Sequence, residues 1–150
     1  DRNQPIHITA DKALRDEKEG VTVYSGHVKL VQGSMELEAD KLTILHTSQD
    51  AEEIIAEGLP AKMRQQPELD KGIVNAHAKI IHYFRATERV FLETDASIDQ
   101  DGAVVTGNSI EYLIAKQLIT AESDQTNKVV VVIPPNVRKK EDGSGATKSQ

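Results

Sequence analysis

Ala39-Asp40-Lys41-Leu42-Thr43-Ile44 is the stretch whose reading decides the fold. Up to Ala39 the apolar and small residues occupy odd positions, Met35, Leu37 and Ala39; beyond it they occupy even ones, Leu42 and Ile44. Side chains of a strand alternate faces with a period of two, so a switch of parity inside an extended run marks a bulge or a corner. The switch recurs twice. Val74, Ala76 and Ala78 give way to Ile81 and Tyr83 across Ala78-Lys79-Ile80-Ile81-His82-Tyr83, and Ala103, Val105 and Gly107 give way to Ile110 and Tyr112 across Gly107-Asn108-Ser109-Ile110-Glu111-Tyr112. Each copy reads small-x-x-aliphatic-x-(aliphatic or Tyr). A chain that turns this corner repeatedly wraps a curved double layer of sheet, and such a layer has an inside.

The rest of the chain supports an all-β class. Ile6 and Ile8 open the alternation, followed by Val21 and Val23, then Val28 and Leu30 beyond Ser25-Gly26, where the apolar set again reads as changing from odd to even. Later runs include Ile54-Ile55, Ala61-Met63, Val90-Leu92, Ala96-Ile98, Leu113-Ile114, Leu118-Ile119 and Val129 through Ile133. Turn signals separate them: Lys18-Glu19-Gly20, Gln32-Gly33-Ser34, Ser48-Gln49-Asp50, Asp70-Lys71-Gly72, Asp101-Gly102 and Asp124-Gln125-Thr126-Asn127. Close-spaced strands with such punctuation signal a sandwich or roll. Ala51 to Glu57 tolerates a helix, but its Glu-Ile-Ile-Ala-Glu core fits a strand equally well. A second pattern interleaves with the first: Val28-x-Leu30-x-Gln32, Ala61-x-Met63-x-Gln65 and Ala96-x-Ile98-x-Gln100. The chain is thus a series of hairpin-like units of roughly thirty to forty residues. One domain is expected over residues 1–137, followed by a polar tail over 138–150 whose composition predicts disorder.

Composition narrows the function. The 150 residues carry a net charge of -6, which argues against nucleic acid as a partner. No run approaches the ~18 apolar residues of a membrane-spanning helix. The opening at Asp1 rather than Met carries the expectation of a trimmed or processed chain, its signal peptide removed. With zero cysteines there are no disulfides, thiolate metal sites or cysteine nucleophiles. The histidines (His7, His27, His46, His77, His82) are scattered, and no metal site is expected. His77 and His82 should face opposite sides of a strand unless a bulge intervenes. Asp99-Gln100-Asp101-Gly102 lacks the later ligands of a calcium loop and reads as a hairpin turn. No nucleophile elbow, phosphate loop or dinucleotide fingerprint is present, and the carboxylates read as solvated faces; neither enzymatic activity nor a cofactor is expected. Aromatics make up only 3% of the chain. Either Val, Ile and Leu fill a closed core, or the interior is left for a ligand.

The order of motifs resembles the LptA or OstA-like family of periplasmic lipopolysaccharide-transport bridge proteins. The resemblance is carried by Gln4-Pro5-Ile6-His7-Ile8 with Ala10-Asp11, Tyr24-Ser25-Gly26-His27-Val28, Gln32-Gly33 and Ala39-Asp40-Lys41. It continues in Gly58-x-Pro60-Ala61 with Gln65, in Ala76-His77-Ala78 leading to His82-Tyr83, and in Gly107-x-x-Ile110-x-Tyr112. Ala76, Thr94 and Asn108 stand where the family more often has Gly, Gly and Asp, and Met63 replaces a frequent aromatic. The resemblance implies an open, twisted β-jellyroll of antiparallel strands, V-shaped in section, that holds lipopolysaccharide acyl chains in an apolar groove. It further implies end-to-end stacking and docking onto matching folds of the inner- and outer-membrane transport components.

On this reading the lipid wall comprises Ile8, Leu30, Leu42, Ile44, Met63, Ile81, Tyr83, Ile98, Ile110 and Tyr112, the apolar members of the repeated motifs plus the first strand. Ile6 and Ile8 at one end, and Val129, Val130, Val131, Val132 and Ile133 at the other, are the expected subunit interface. The valine run has high strand propensity and no charge until Arg138, and Pro134-Pro135 ends it. The alternative is a secreted β-roll carbohydrate-binding or adhesin-like module, which would want exposed aromatic platforms; a β-roll hydrolase would need a convergent acid pair.

Overall fold

The computed structural model describes residues 3–46, 52–70 and 72–135. The polar tail assigned to 138–150 and the turn at Ser48-Gln49-Asp50 lie outside them. The described residues form ten strands: β1 His7–Thr9, β2 Lys12–Asp16, β3 Val21–Gln32, β4 Met35–His46, β5 Glu52–Gln65, β6 Val74–Phe84, β7 Arg89–Gln100, β8 Ala103–Leu113, β9 Leu118–Glu122 and β10 Val130–Val132. They make a single antiparallel sheet in the order β1-β3-β4-β5-β6-β7-β8-β10, with β2 also on β3 and β9 also on β8. Among the described residues no strand pairing joins the first edge to the last, so the sheet is open.

Every long strand is broken once, at the same level. The register shifts at Ser25/Val28, Glu38/Lys41, Glu57/Ala61, His77/Ile80 and Glu93/Ala96 line up across the sheet. This line is the corner. It divides the sheet into arm A (β2, the 21–25, 41–46, 52–57, 80–84, 89–93 and 109–113 segments, and β9) and arm B (β1, the 28–32, 35–39, 61–65, 74–78, 96–100 and 103–107 segments, and β10). The buried residues of both arms belong to one hydrophobic cluster, so the arms face each other.

Strands cross the corner in three ways. In β4, β6 and β8 the inward residues are three apart, Ala39 to Leu42, Ala78 to Ile81 and Gly107 to Ile110, which reverses parity as the sequence predicts. β3 and β7 take four residues, with Gly26 (φ 83°) and His27 (φ 50°), or Thr94 (φ 72°) and Asp95 (φ 54°), in left-handed conformations. β5 takes five, with Leu59-Pro60 cis.

One expectation is corrected here. Val21 and Val23 do not form the inward set of β3; Thr22 and Tyr24 do, as register partners of the inward Ile44 and Leu42. The extra left-handed residue cancels the parity switch in this strand.

The small residues of the motif have a shared place. Val28 pairs with Ala39, Ala61 with Ala78 and Ala96 with Gly107, all on the inner side of the corner. A bend concave toward the core leaves no room there; a Cβ on Gly107 would stand 2.9 Å from the Glu122 carbonyl oxygen. Asp101 (φ 56°) and Gly102 (φ 85°) make the two-residue hairpin that the Asp-Gly pair predicts, with both residues left-handed.

Candidate functional site

The inward face is apolar, mostly aliphatic, and forms rows across the strands. In arm A one row runs Leu42, Ala56, Ile81, Leu92 and Ile110, and the next runs Ile44, Ile54, Tyr83, Val90 and Tyr112. In arm B a third row runs Ile8, Leu30, Leu37, Met63, Ala76, Ile98 and Val105. All ten wall residues expected from the sequence lie on these three rows. Nine are at most 7% exposed; Ile8 is half-buried and packs against the others. Their neighbours Lys29, Thr43 and Glu111 point outward, with Glu111 paired to Arg89.

The interior is thus filled by its own side chains. Every strand pairing lies on one side of the corner, so the arms meet each other through side chains alone.

Leu37, Ile54, Val90 and Leu92 belong to the same wall and were not among the expected residues. Their alternation is legible in the sequence, but they stand outside the repeated motif. Burial pushes the Tyr112 phenol above its ordinary pKa.

The outer faces differ from the inner one. His77 and His82 both face outward, because the corner at Lys79 intervenes. On arm A, His82 Nδ1 lies 3.0 Å from Glu53 and its Nε2 2.9 Å from Glu93. The Arg89 guanidinium stands 4.9 Å from the Phe84 ring and 5.8 Å from the Phe91 ring. These are cross-strand pairs that stabilise a solvated face. Arg85 pairs with Glu52 on the other side of the sheet, at the inward rim of arm A beyond Tyr83 and Ile54. Among the described residues no group of three or more His, Asp or Glu is placed to hold a metal ion.

The two edges are short and broken. β1 and β2 line the free side of β3, and β9 and β10 that of β8. The expected terminal strands are shorter than the sequence suggests: β1 takes His7–Thr9, leaving Ile6 outside it, and β10 takes Val130–Val132, leaving Val129 and Ile133 as flanks. Residues Val129 to Ile133 are 37–68% exposed. β2 carries Lys12, Arg15 and Asp16, charges that discourage pairing with another chain, whereas β10 carries none.

A family model described as "LptA/(LptD N-terminal domain) LPS transport protein" matches residues 7–118, from β1 to the start of β9. The chain belongs to this family. Among LptA-family relatives, the lipopolysaccharide export system protein LptH of Pseudomonas aeruginosa is 37% identical over 122 residues, 81% of this chain and 70% of that protein. The export system protein LptA of Escherichia coli is 32% identical over 152 residues, covering 100% of this chain and 82% of the relative. The crystal structure of LptH, described as the LptA-homologous periplasmic component of the lipopolysaccharide transport device, superposes with a TM-score of 0.85 at 32% identity. That superposition covers 90% of this LptA-family chain and 99% of LptH.

Proposed function

We propose that this chain is a non-enzymatic carrier that moves lipopolysaccharide across the periplasm with its acyl chains held between the two arms. The observation that carries the reading is the inward face: three contiguous, largely aliphatic rows without a charged residue, in a sheet whose edges are not closed. Each acyl methylene withdrawn from water contributes about 0.8 kcal/mol, so chains of roughly a dozen carbons supply ample driving force. Apolar contacts are non-directional, so the chains can slide and leave, as transport requires. The relatives are named as export proteins, and this favours a carrier over a carbohydrate-binding or adhesin-like module.

The bridge itself is part of the proposal. The uncharged β10 of one subunit pairs with the β1 edge of the next, and matching folds of the inner- and outer-membrane components cap the stack. Such a contact joins two different surfaces, so it propagates as a filament rather than closing as a dimer.

Photo-crosslinking tests the wall. A crosslinker at Leu42, Ile81, Ile98 or Ile110 captures lipopolysaccharide, whereas one at Lys29, Thr43 or Glu111 does not. Equal capture from both faces of the sheet would refute the assignment.

A further inference from the structure

The repeated glutamines of the Val28, Ala61 and Ala96 motifs are not explained by an aliphatic wall. Gln32, Gln65 and Gln100 each end an arm B strand just before its turn, on the last inward row. Gln32 pairs with Met35, Gln65 with Val74, Val74 with Gln100, and Gln100 with Ala103. They therefore recur on alternate strands, β3, β5 and β7, about 9–10 Å apart along the lip of the arm.

Arm A also carries polar groups near its lip. One row inside the rim positions His46, Glu52 and Arg85, an inward row holds Thr22 on β3, Tyr83 on β6 and Tyr112 on β8, with aliphatics between. Thr22, Gln32 and Gln65 are the buried polar residues among those described, and all three lie on these two rows near the lips. The Thr22 hydroxyl is buried with no hydrogen-bond partner among the described residues. A buried hydroxyl costs free energy unless something bonds to it, and natural proteins leave few such groups without a reason. Gln32 has a visible structural duty, since its Nε2 donates to the Gln4 carbonyl at 2.9 Å.

We propose that the two lip rows form a polar ladder that hydrogen-bonds the carbonyl linkages joining acyl chains to the headgroup of the bound amphiphile. The inference rests on the carrier reading and names the groups that take the ligand's polar linkage. Its chemistry is that of the side chains: amides donate through N–H and accept through Oε1, while phenols and the threonine hydroxyl donate to a carbonyl oxygen. An acyl chain lying on the rows behind puts its first polar group at the lip. Rungs repeated along the seam let that group pass from one to the next as the molecule advances, so none has to be left unbonded.

The test compares two probes on the same variants: lipid A, whose chains are carbonyl-linked, and diphenylhexatriene, a pure hydrocarbon. Thr22→Val deletes a hydroxyl with little change of shape, and Gln65→Met with Gln100→Met removes two amides. Each variant loses about three- to tenfold in lipid A affinity, the worth of one or two neutral hydrogen bonds, and keeps its diphenylhexatriene affinity. Thr22→Ser, which retains the hydroxyl, restores lipid A binding. Undiminished lipid A binding would overturn the ladder alone, and so would a parallel loss for both probes, which marks a packing role. A wild-type protein that binds no lipid A would overturn the carrier reading and the ladder with it.

Discussion

Ala61 and Ala78 are register partners on the inner side of the corner, and neither is exposed at all. Both are small because the two arms converge there, so added volume has nowhere to go. Ala78→Leu lowers stability in urea denaturation by about 1–3 kcal/mol, the usual cost of overpacking a filled interior. Ala39→Leu, at a half-buried position on the same line, costs less. Equal effects at the two sites would contradict this account of the bend.

The β1–β2 junction is held to the corner by a pH-dependent contact. His27 Nδ1 lies 2.8 Å from Asp11 Oδ2, and the Asp11 N–H donates to the carbonyls of Ser25 and Gly26 at 3.1 and 2.9 Å. The hydrogen bond to Asp11, its charge and that of Asp40 raise the His27 pKa above 6.5. A raised pKa in the folded state means the contribution is complete below the ordinary imidazole value and is lost as pH rises through the folded one. His27 is fully exposed, so the effect is small. An NMR titration shows the His27 pKa elevated in the wild type and lowered in Asp11→Asn, with faster exchange of the Asp11 amide at alkaline pH beyond the intrinsic increase.

Thr94 carries a β-branched side chain at φ 72° beside Asp95 at 54°. The left-handed region is unfavourable for such a residue, whereas Asp tolerates it better. Thr94→Gly raises stability by about 0.5–1 kcal/mol once glycine's greater chain entropy is subtracted, and Asp95→Gly by less. Thermal denaturation of the two variants gives the order directly.

The proposed stacking makes β10 the joint between subunits. Deleting residues 128–150 shrinks concentration-dependent oligomers in light scattering while the strand signal in circular dichroism persists. Val132→Lys, a charge on the outward side of β10, weakens association without removing the strand. Oligomers indifferent to both changes would exclude this edge as the joint.

What the sequence determined by itself was whatever a period of two can express. The parity switches at Ala39, Ala78 and Gly107 located the corner and placed Leu42, Ile44, Ile81, Tyr83, Ile110 and Tyr112 on a buried face, because each switch lies within one strand and its apolar pattern is local. Asp101-Gly102 announced its turn for the same reason. Tertiary structure decided the rest. β2, Lys12–Asp16, is exposed throughout, so no apolar alternation marks it and only pairing with β3 makes it a strand. In β3 the valines read as inward, yet the left-handed pair at Gly26 and His27 adds a residue that turns Thr22 and Tyr24 to the core. Phe84 and Phe91 lie on the outer face with Arg89 between them, although hydrophobicity alone would bury both. The glutamines are legible as a repeat, but their place along one lip of a folded sheet is not. A side chain's face follows from how many residues its strand spends at the corner, and that number is set by the neighbouring strand's register, which no single stretch of sequence contains.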